Sequence, residues 1–307
     1  MTRDRRLRSM LEVLPALAQS GCTLLITGET GTGKEHLARL VHALSPRQGG
    51  PFIKVGCAGL PQELLAGELF GYAAGGINPG EPARPGALRR ASQGSLLLDE
   101  VGELPAGLQE ELWLLLERQA YLPRGGVRGL PLQARLLAAS KCPLEEVVHG
   151  QGFREDLCYH LNLMCFHLPP LRERRGDLPL LIEHFLTRLS LARKGRAIGL
   201  SDEAQEVLLA YHYPGNLREL HNILEQAAMV CRERVIGLDH LPSFLGGQTR
   251  PLTASPAAPG AGQEERQAIL AALERHGWRR REAAQALGMD RTTLWRKMRR
   301  HGLPSSP

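Results

Sequence analysis

Gly28-Glu29-Thr30-Gly31-Thr32-Gly33-Lys34 stands between an apolar run, Thr23 to Thr27, and a helical pattern, Glu35 to Leu44. The stretch matches G-x-x-x-x-G-K, and a strand before it with a helix after it is the context that gives the motif meaning. Glycines let backbone N–H groups curl around phosphate oxygens. Lys34 neutralises β and γ charge, and the helix turns its positive end toward the anion. The reading is a phosphate-binding loop in a parallel α/β sheet, with Gly28, Glu29, Thr30, Gly31, Thr32, Gly33 and Lys34 at a nucleotide.

The residues after the loop extend this expectation. Glu35 stands where Ser or Thr usually binds Mg²⁺, so the metal needs other ligands. Gly94-Ser95-Leu96-Leu97-Leu98-Asp99-Glu100 supplies them, because a buried strand there ends in two carboxylates. Asp99 suits Mg²⁺, and Glu100 suits orienting or deprotonating an attacking water. Two further apolar runs, Phe52 to Val55 and Ala134 to Ala138, alternate with helical patterns, the mark of a parallel sheet covered on both faces. From Leu171 to Leu245 strand-like runs stop and apolar residues follow helical spacing, which predicts a helical subdomain. Residues 246 to 263 concentrate Gly, Pro, Ser and Thr and are expected to form a linker. The expected organisation is therefore an α/β unit over 1–170, a helical lid over 171–245, the linker, and a small all-α domain over 264–307.

Composition narrows the function classes. The 307 residues are 43% hydrophobic and 23% charged, enough for a sizeable core. No apolar run nears the roughly 18 residues of a membrane span, and no signal peptide opens the chain, so a soluble cytoplasmic protein is expected. None of the six cysteines forms Cys-x-x-Cys, and reduced thiols are the expectation. The net charge is +6, yet residues 1 to 245 hold 27 basic and 27 acidic side chains, so the excess lies wholly in the C-terminal part. A neutral body with a basic appendix directs only the appendix toward a polyanion, with DNA the expected partner.

With these motifs in place, the chain resembles the central and C-terminal domains of bacterial sigma-54-dependent transcriptional activators, members of the AAA+ ATPases. The resemblance rests on Gly28 to Glu35, Glu68-Leu69-Phe70-Gly71, Leu98 to Pro105, Phe153 to Leu157, Leu168 to Arg174 and Pro214 to Leu220. It implies ATP and Mg²⁺ as cofactors and a homo-oligomeric, hexameric ring. In such a ring hydrolysis remodels RNA polymerase carrying sigma-54. Arg218 would touch the nucleotide from the lid, and Arg154 would reach a neighbour's ATP. Since the chain reaches its first strand by Thr23, no receiver or ligand-sensing domain is expected ahead of it.

Four departures bear on turnover and coupling. The family's sigma-54-contacting loop G-A-F-T-G-A aligns with Gly75-Gly76-Ile77-Asn78-Pro79-Gly80, so its Phe and Thr are absent. Gly56 replaces the Asn that restrains the catalytic glutamate, Lys141 replaces the first sensor Asn, and His160 replaces a second intersubunit arginine. Two readings stay open: a remodelling ATPase, and a non-hydrolysing, nucleotide-gated DNA-binding regulator that does not act through sigma-54.

Three helical stretches, Glu264 to His276, Arg280 to Leu287 and Arg291 to His301, surround a Gly288-Met289-Asp290 turn. They resemble a Fis-type helix-turn-helix. Its third helix would set Arg291, Thr292 and Thr293 against base edges, with Arg296, Lys297 and Arg300 along phosphates, at upstream activator or operator sites. The resemblance implies that these domains read DNA as dimers. Cys158-x-His160 and Cys165-x-His167 lack a standard zinc spacing and are read as structural.

Overall fold

The computed structural model describes residues 2–76, 80–150, 152–192, 199–231 and 234–246, together with Arg275 and Glu282. The chain divides into two compact units, Met1–Thr249 and Arg250–Pro307. Nearly all described residues lie in the first. Among them no helix is long and apolar enough to cross a membrane.

Five parallel strands form the central sheet: β1 (Leu24–Thr27), β2 (Phe52–Gly56), β3 (Ser95–Asp99), β4 (Arg135–Ser140) and β5 (Cys165–His167), in the order β2-β3-β4-β1-β5. Alternation along each strand explains why the runs carry almost no polar residue. Leu25, Val55, Leu96, Leu98, Leu136 and Ala138 join one core, while Leu24, Ile26, Leu97, Leu137 and Ala139 join another on the opposite face. A strand buried on both sides has no solvent face on which to place polar residues.

The helices α1 (Arg5–Ser20) and α2 (Lys34–Ala43) cover one face through Leu14, Leu37 and Val41; α3 (Gln62–Phe70) and α4 (Ala106–Arg118) cover the other through Leu65, Leu69, Leu108 and Leu112. α1 starts where the Asp4 carboxylate accepts the Leu7 N–H at 2.9 Å and ends at Gly21, whose φ of 70° is left-handed. The fifth strand was not among the apolar runs of the sequence. Two of its three residues, Cys165 and His167, are exposed on this sheet edge, so it lacks the doubly buried pattern.

After α5 (Glu155–Leu161) the chain builds the helical part. α6 (Leu178–Ala192), α7 (Asp202–Ala210) and α8 (Asn216–Val230) close over a separate core of Leu178, Ile182, Leu208, Tyr213, Leu220 and Leu224. The spacing that predicts helices here is the spacing that fills this core.

Arg135, 3% exposed, ties sheet to helix at the first residue of β4. It donates to the carbonyls of Ala18 at 2.6 Å and Leu17 at 3.0 Å, in the last turn of α1 where carbonyls lack backbone partners within the helix, and to that of Cys22, just beyond it, at 3.1 Å. Arg135→Met removes the donors and leaves buried carbonyls. We expect a loss of about 3 kcal/mol of unfolding free energy in urea at unchanged m, and a loss below about 0.5 kcal/mol would contradict the assignment.

Candidate nucleotide site

The phosphate loop is held open by its backbone. The Gly28 N–H donates to Ser140 O at 3.1 Å, continuing the β1–β4 ladder one residue beyond the strand. Gly28 (φ 146°) passes so close to the chain at 168 that a Cβ would lie 2.6 Å from Leu168 O. Gly33 (φ 106°) starts α2 in the left-handed region without a side-chain cap. Among the described residues, the N–H groups of Gly31, Gly33 and Lys34 find no backbone carbonyl to donate to. Unsatisfied donors at a helix N-terminus fit an anion carrying several oxygens.

Lys34 is 6% exposed. Its Nζ donates to Gly28 O at 2.7 Å and Glu29 O at 3.4 Å, and lies 3.2 Å from Glu100 Oε1. The loop lysine and the second carboxylate of the strand end are thus already paired. Glu100 has φ 57°, uncommon for a residue with a side chain. The two residues after Asp99 therefore turn sharply away from β3.

A second charge chain runs beside this pair. Lys54, from β2, lies 2.7 Å from Asp99 Oδ2 and 2.8 Å from Glu35 Oε2, while Glu35 Oε1 accepts from Arg39 Nη2 at 2.8 Å and Nε at 3.0 Å. The hydrogen bonds from Lys54 and then Arg39 hold the Glu35 carboxyl below its ordinary range. Burial works against the Lys54 ammonium, but Asp99 and Glu35 outweigh it and raise its pKa. The carboxylates of Asp99 and Glu35 thus converge on one cationic point. Hard oxygen donors of this kind fit Mg²⁺, which commonly takes one or two carboxylates with substrate phosphates.

The helical part reaches the loop from the other side. Arg172 grips Glu29 with both arms, Nη1 to Oε2 at 2.8 Å and Nη2 to Oε1 at 2.6 Å. Asn216, fully buried and left-handed (φ 53°), donates to Glu29 Oε2 at 3.2 Å and Thr30 O at 3.1 Å while its Oδ1 accepts the Leu171 N–H at 2.7 Å. Leu217 N–H donates to Gly31 O at 2.9 Å, and buried Arg174 donates to Thr32 O at 2.9 Å. A Cβ on Gly31 would come 2.2 Å from Gly215 O. The bonds from Arg172 and then Asn216 pull the Glu29 carboxyl down to about 2.

Gly28 to Glu35, Asp99 and Glu100 therefore gather at one place, and Arg218 stands beside them, its Cβ 3.2 Å from where Gly31 would carry one. Arg154 does not join them. It caps α5, pairs with Asp156 through two bonds of 3.0 and 2.7 Å, and stacks on Trp113 at 5.5 Å. Gly56 sits opposite Asp99 with open space where a Cβ would stand, so no side chain competes there for Glu100. Lys141 pairs with Glu103, and His160 Nε2 lies 3.2 Å from Glu117. Gly75, Gly76 and Gly80 border the predicted loop, while Ile77, Asn78 and Pro79 lie outside the described residues. So do Arg291, Thr292, Thr293, Arg296, Lys297 and Arg300. Cys158 is buried core, and His167 bonds Thr27 Oγ1 at 3.1 Å.

Sequence reasoning missed Lys54, Arg174 and Asn216 as site residues. Lys54 carried a signal, a lone cation inside the apolar run Phe52 to Val55. Asn216 and Arg174 lay within motifs but gave no local hint that they would meet a loop more than 140 residues away.

Comparison with known proteins adds what geometry alone does not. Residues 1–167 match the sigma-54 interaction domain, 172–257 the AAA+ ATPase lid domain, and 262–301 the bacterial regulatory protein, Fis family. The acetoin catabolism regulatory protein of Cupriavidus necator is 38% identical over 98% of this chain and 47% of its own length. Regulatory protein AtoC of Escherichia coli is 37% identical over 94% of this chain and 64% of its own. The chain thus spans about half to two thirds of these relatives. The crystal structure of NtrX from Brucella abortus in complex with ATP is similar at a TM-score of 0.73 and 28% identity, covering 99% of this chain and 69% of that one. Its complex with ADP gives 0.75 and 27%, over 99% and 70%.

The Glu29 latch has a pH signature. Glu29 titrates near 4.5 when free of its partners and at about 2 here, so its contribution to stability is complete above pH 4.5 and is lost as pH falls toward 2. Glu29→Gln never carries the charge. The stability gap between wild type and E29Q, measured in urea, should be widest near neutrality and close below pH 4.5; a gap independent of pH would contradict the latch.

Proposed function

Because this chain belongs to the family of sigma-54-dependent transcriptional activators, we propose that it is an ATP-hydrolysing, ring-forming regulator that binds DNA through its C-terminal part and acts on RNA polymerase carrying sigma-54. The observation that carries this reading is the pairing of Lys34 with Glu100 at 3.2 Å, at the mouth of a glycine loop with free backbone donors. Phosphate oxygens compete for the Lys34 ammonium, which then gives up Glu100. A freed carboxylate at this place can orient a water and accept its proton. Bound Mg²⁺ would neutralise charge on the β and γ phosphates, and Asp99 and Glu35 are the residues that would hold it.

The arginines divide the remaining work. Arg218, on α8 with its Cβ beside Gly31, would meet phosphate from the lid of the same chain. Arg154 must come from a neighbour, since its own loop is elsewhere, and it would exchange Asp156 for that neighbour's nucleotide. A planar cation meeting charge that develops on a transferred phosphoryl group accelerates transfer by roughly 10³ to 10⁵ in related systems. Turnover would therefore depend on assembly. In the homo-oligomer, six copies forming the ring would each complete a neighbour's site.

A second reading is favoured by one observation, the sequence Gly75-Gly76-Ile77-Asn78-Pro79-Gly80. It lacks both side chains of the family's sigma-54-contacting loop, and a proline narrows its backbone freedom. In that reading nucleotide sets assembly and DNA affinity without hydrolysis.

Steady-state hydrolysis against protein concentration separates the two. Wild-type specific activity is expected to rise with concentration. Glu100→Gln should bind ATP normally and lose at least about a hundredfold in turnover, whereas Lys34→Ala should lose ATP binding itself. Wild type that binds ATP and turns over no faster than E100Q would overturn the ATPase reading and leave the second.

A further inference from the structure

Among the described residues, Lys54 is the site residue that neither the motifs nor the phosphate loop accounts for. It lies in β2, where its neighbours Ile53 and Val55 pack into the sheet core, so its backbone position is fixed by a parallel ladder to β3 in which Lys54 faces Leu97 and Gly56 faces Asp99. The side chain leaves that strand and sets its ammonium between two carboxylates from different elements, Asp99 at 2.7 Å and Glu35 at 2.8 Å. Its side chain is 35% exposed, so the pair is reached by solvent at its edge. The other oxygen of Glu35 is held by Arg39, and Glu100 is occupied by Lys34. Each charged group around the point where Glu35 and Asp99 meet is therefore matched, and the matching cation at that point is Lys54.

We propose that Lys54 is the positioning residue of the metal site, a resident counter-cation that holds the Glu35 and Asp99 carboxylates aimed at one point and keeps a free divalent ion out of it until nucleotide arrives. The inference rests on the proposed nucleotide-binding function and deepens it. A divalent cation and an ammonium repel at ion-pair distances, so both cannot be held by the same two oxygens. Metal brought with nucleotide has phosphate oxygens as additional ligands and can compete with the ammonium. Metal alone has only the two carboxylates. The chain would thus discriminate between free metal and metal–nucleotide, using a side chain from a strand three places from β1 in the sheet.

The test uses Mn²⁺ alone, followed by its free-ion electron paramagnetic resonance signal, on the full chain stripped of nucleotide. Wild type should bind weakly. Lys54→Met leaves Asp99 Oδ2 and Glu35 Oε2 without their cation, and Mn²⁺ affinity should rise about tenfold or more at one site. Adding Asp99→Asn to K54M should remove that gain, and Lys54→Arg, which keeps the charge, should not show it. A role in folding alone would not move Mn²⁺ affinity; where K54M does not fold, Lys54→Gln is measured in its place. A folded K54M or K54Q that binds Mn²⁺ no more tightly than wild type overturns the inference. Calorimetric binding of Mg²⁺–ATP to wild type, run in parallel, separates the two levels. Loss of that binding refutes the nucleotide reading, whereas its presence without the Mn²⁺ gain refutes only the role of Lys54.

Discussion

A single buried amide, Asn216, joins three segments that lie far apart in sequence. Its side chain takes the N–H that opens the turn at Leu171 and gives its own two N–H bonds to Glu29 and Thr30. Both donors of the amide are used, and its carbonyl is engaged. To do this Asn216 adopts a left-handed backbone, which asparagine tolerates better than most residues. Around it Arg172, Arg174 and Leu217 add bonds to Glu29, Thr32 and Gly31. The phosphate loop of this AAA+ fold is therefore shaped as much by its lid as by the strand that carries it. A change in the lid's seat is therefore a change in the loop.

The parallel sheet supplies the other half of the arrangement. With every strand running the same way, the ends of β1, β2, β3 and β4 bring Gly28, Gly56, Asp99 and Ser140 to one edge, the usual place for a ligand in open α/β sheets. The charges there form one pair, Lys34 with Glu100, and one cluster in which Lys54 and Arg39 meet Asp99 and Glu35. Within these groups each carboxylate has a cation, so an incoming nucleotide would have to rearrange them. Glu100, Lys34 and Lys54 are the side chains that would have to change partners.

Much of this was legible in the sequence. The glycine spacing before a helical pattern placed the loop, and apolar runs without alternation announced a sheet covered on both faces. The two carboxylates after Leu98 marked the strand end. What was not legible were contacts that depend on tertiary closure. Nothing local to Asn216 or Arg174 shows that they will meet residues 30 and 32. β5 was hidden because Cys165 and His167 on the sheet edge are exposed. Lys54 was visible as an oddity, one cation in an apolar strand, and only the meeting of β2 with α2 and β3 gave it meaning. Arg154 was placed by motif, yet its partners in this chain are Asp156 and Trp113 rather than the phosphate loop.

The central claim is that the lid presses on the loop closely enough to define the nucleotide site. Calorimetric titration of Mg²⁺ with a slowly hydrolysed ATP analogue into wild type and Gly31→Ala tests it directly. A methyl group at Gly31 would meet Gly215 O at 2.2 Å and sit at a φ of 83° that disfavours side chains. The account predicts a folded variant whose affinity for the analogue falls by about tenfold or more. Affinity equal to wild type in a folded Gly31→Ala protein would contradict it.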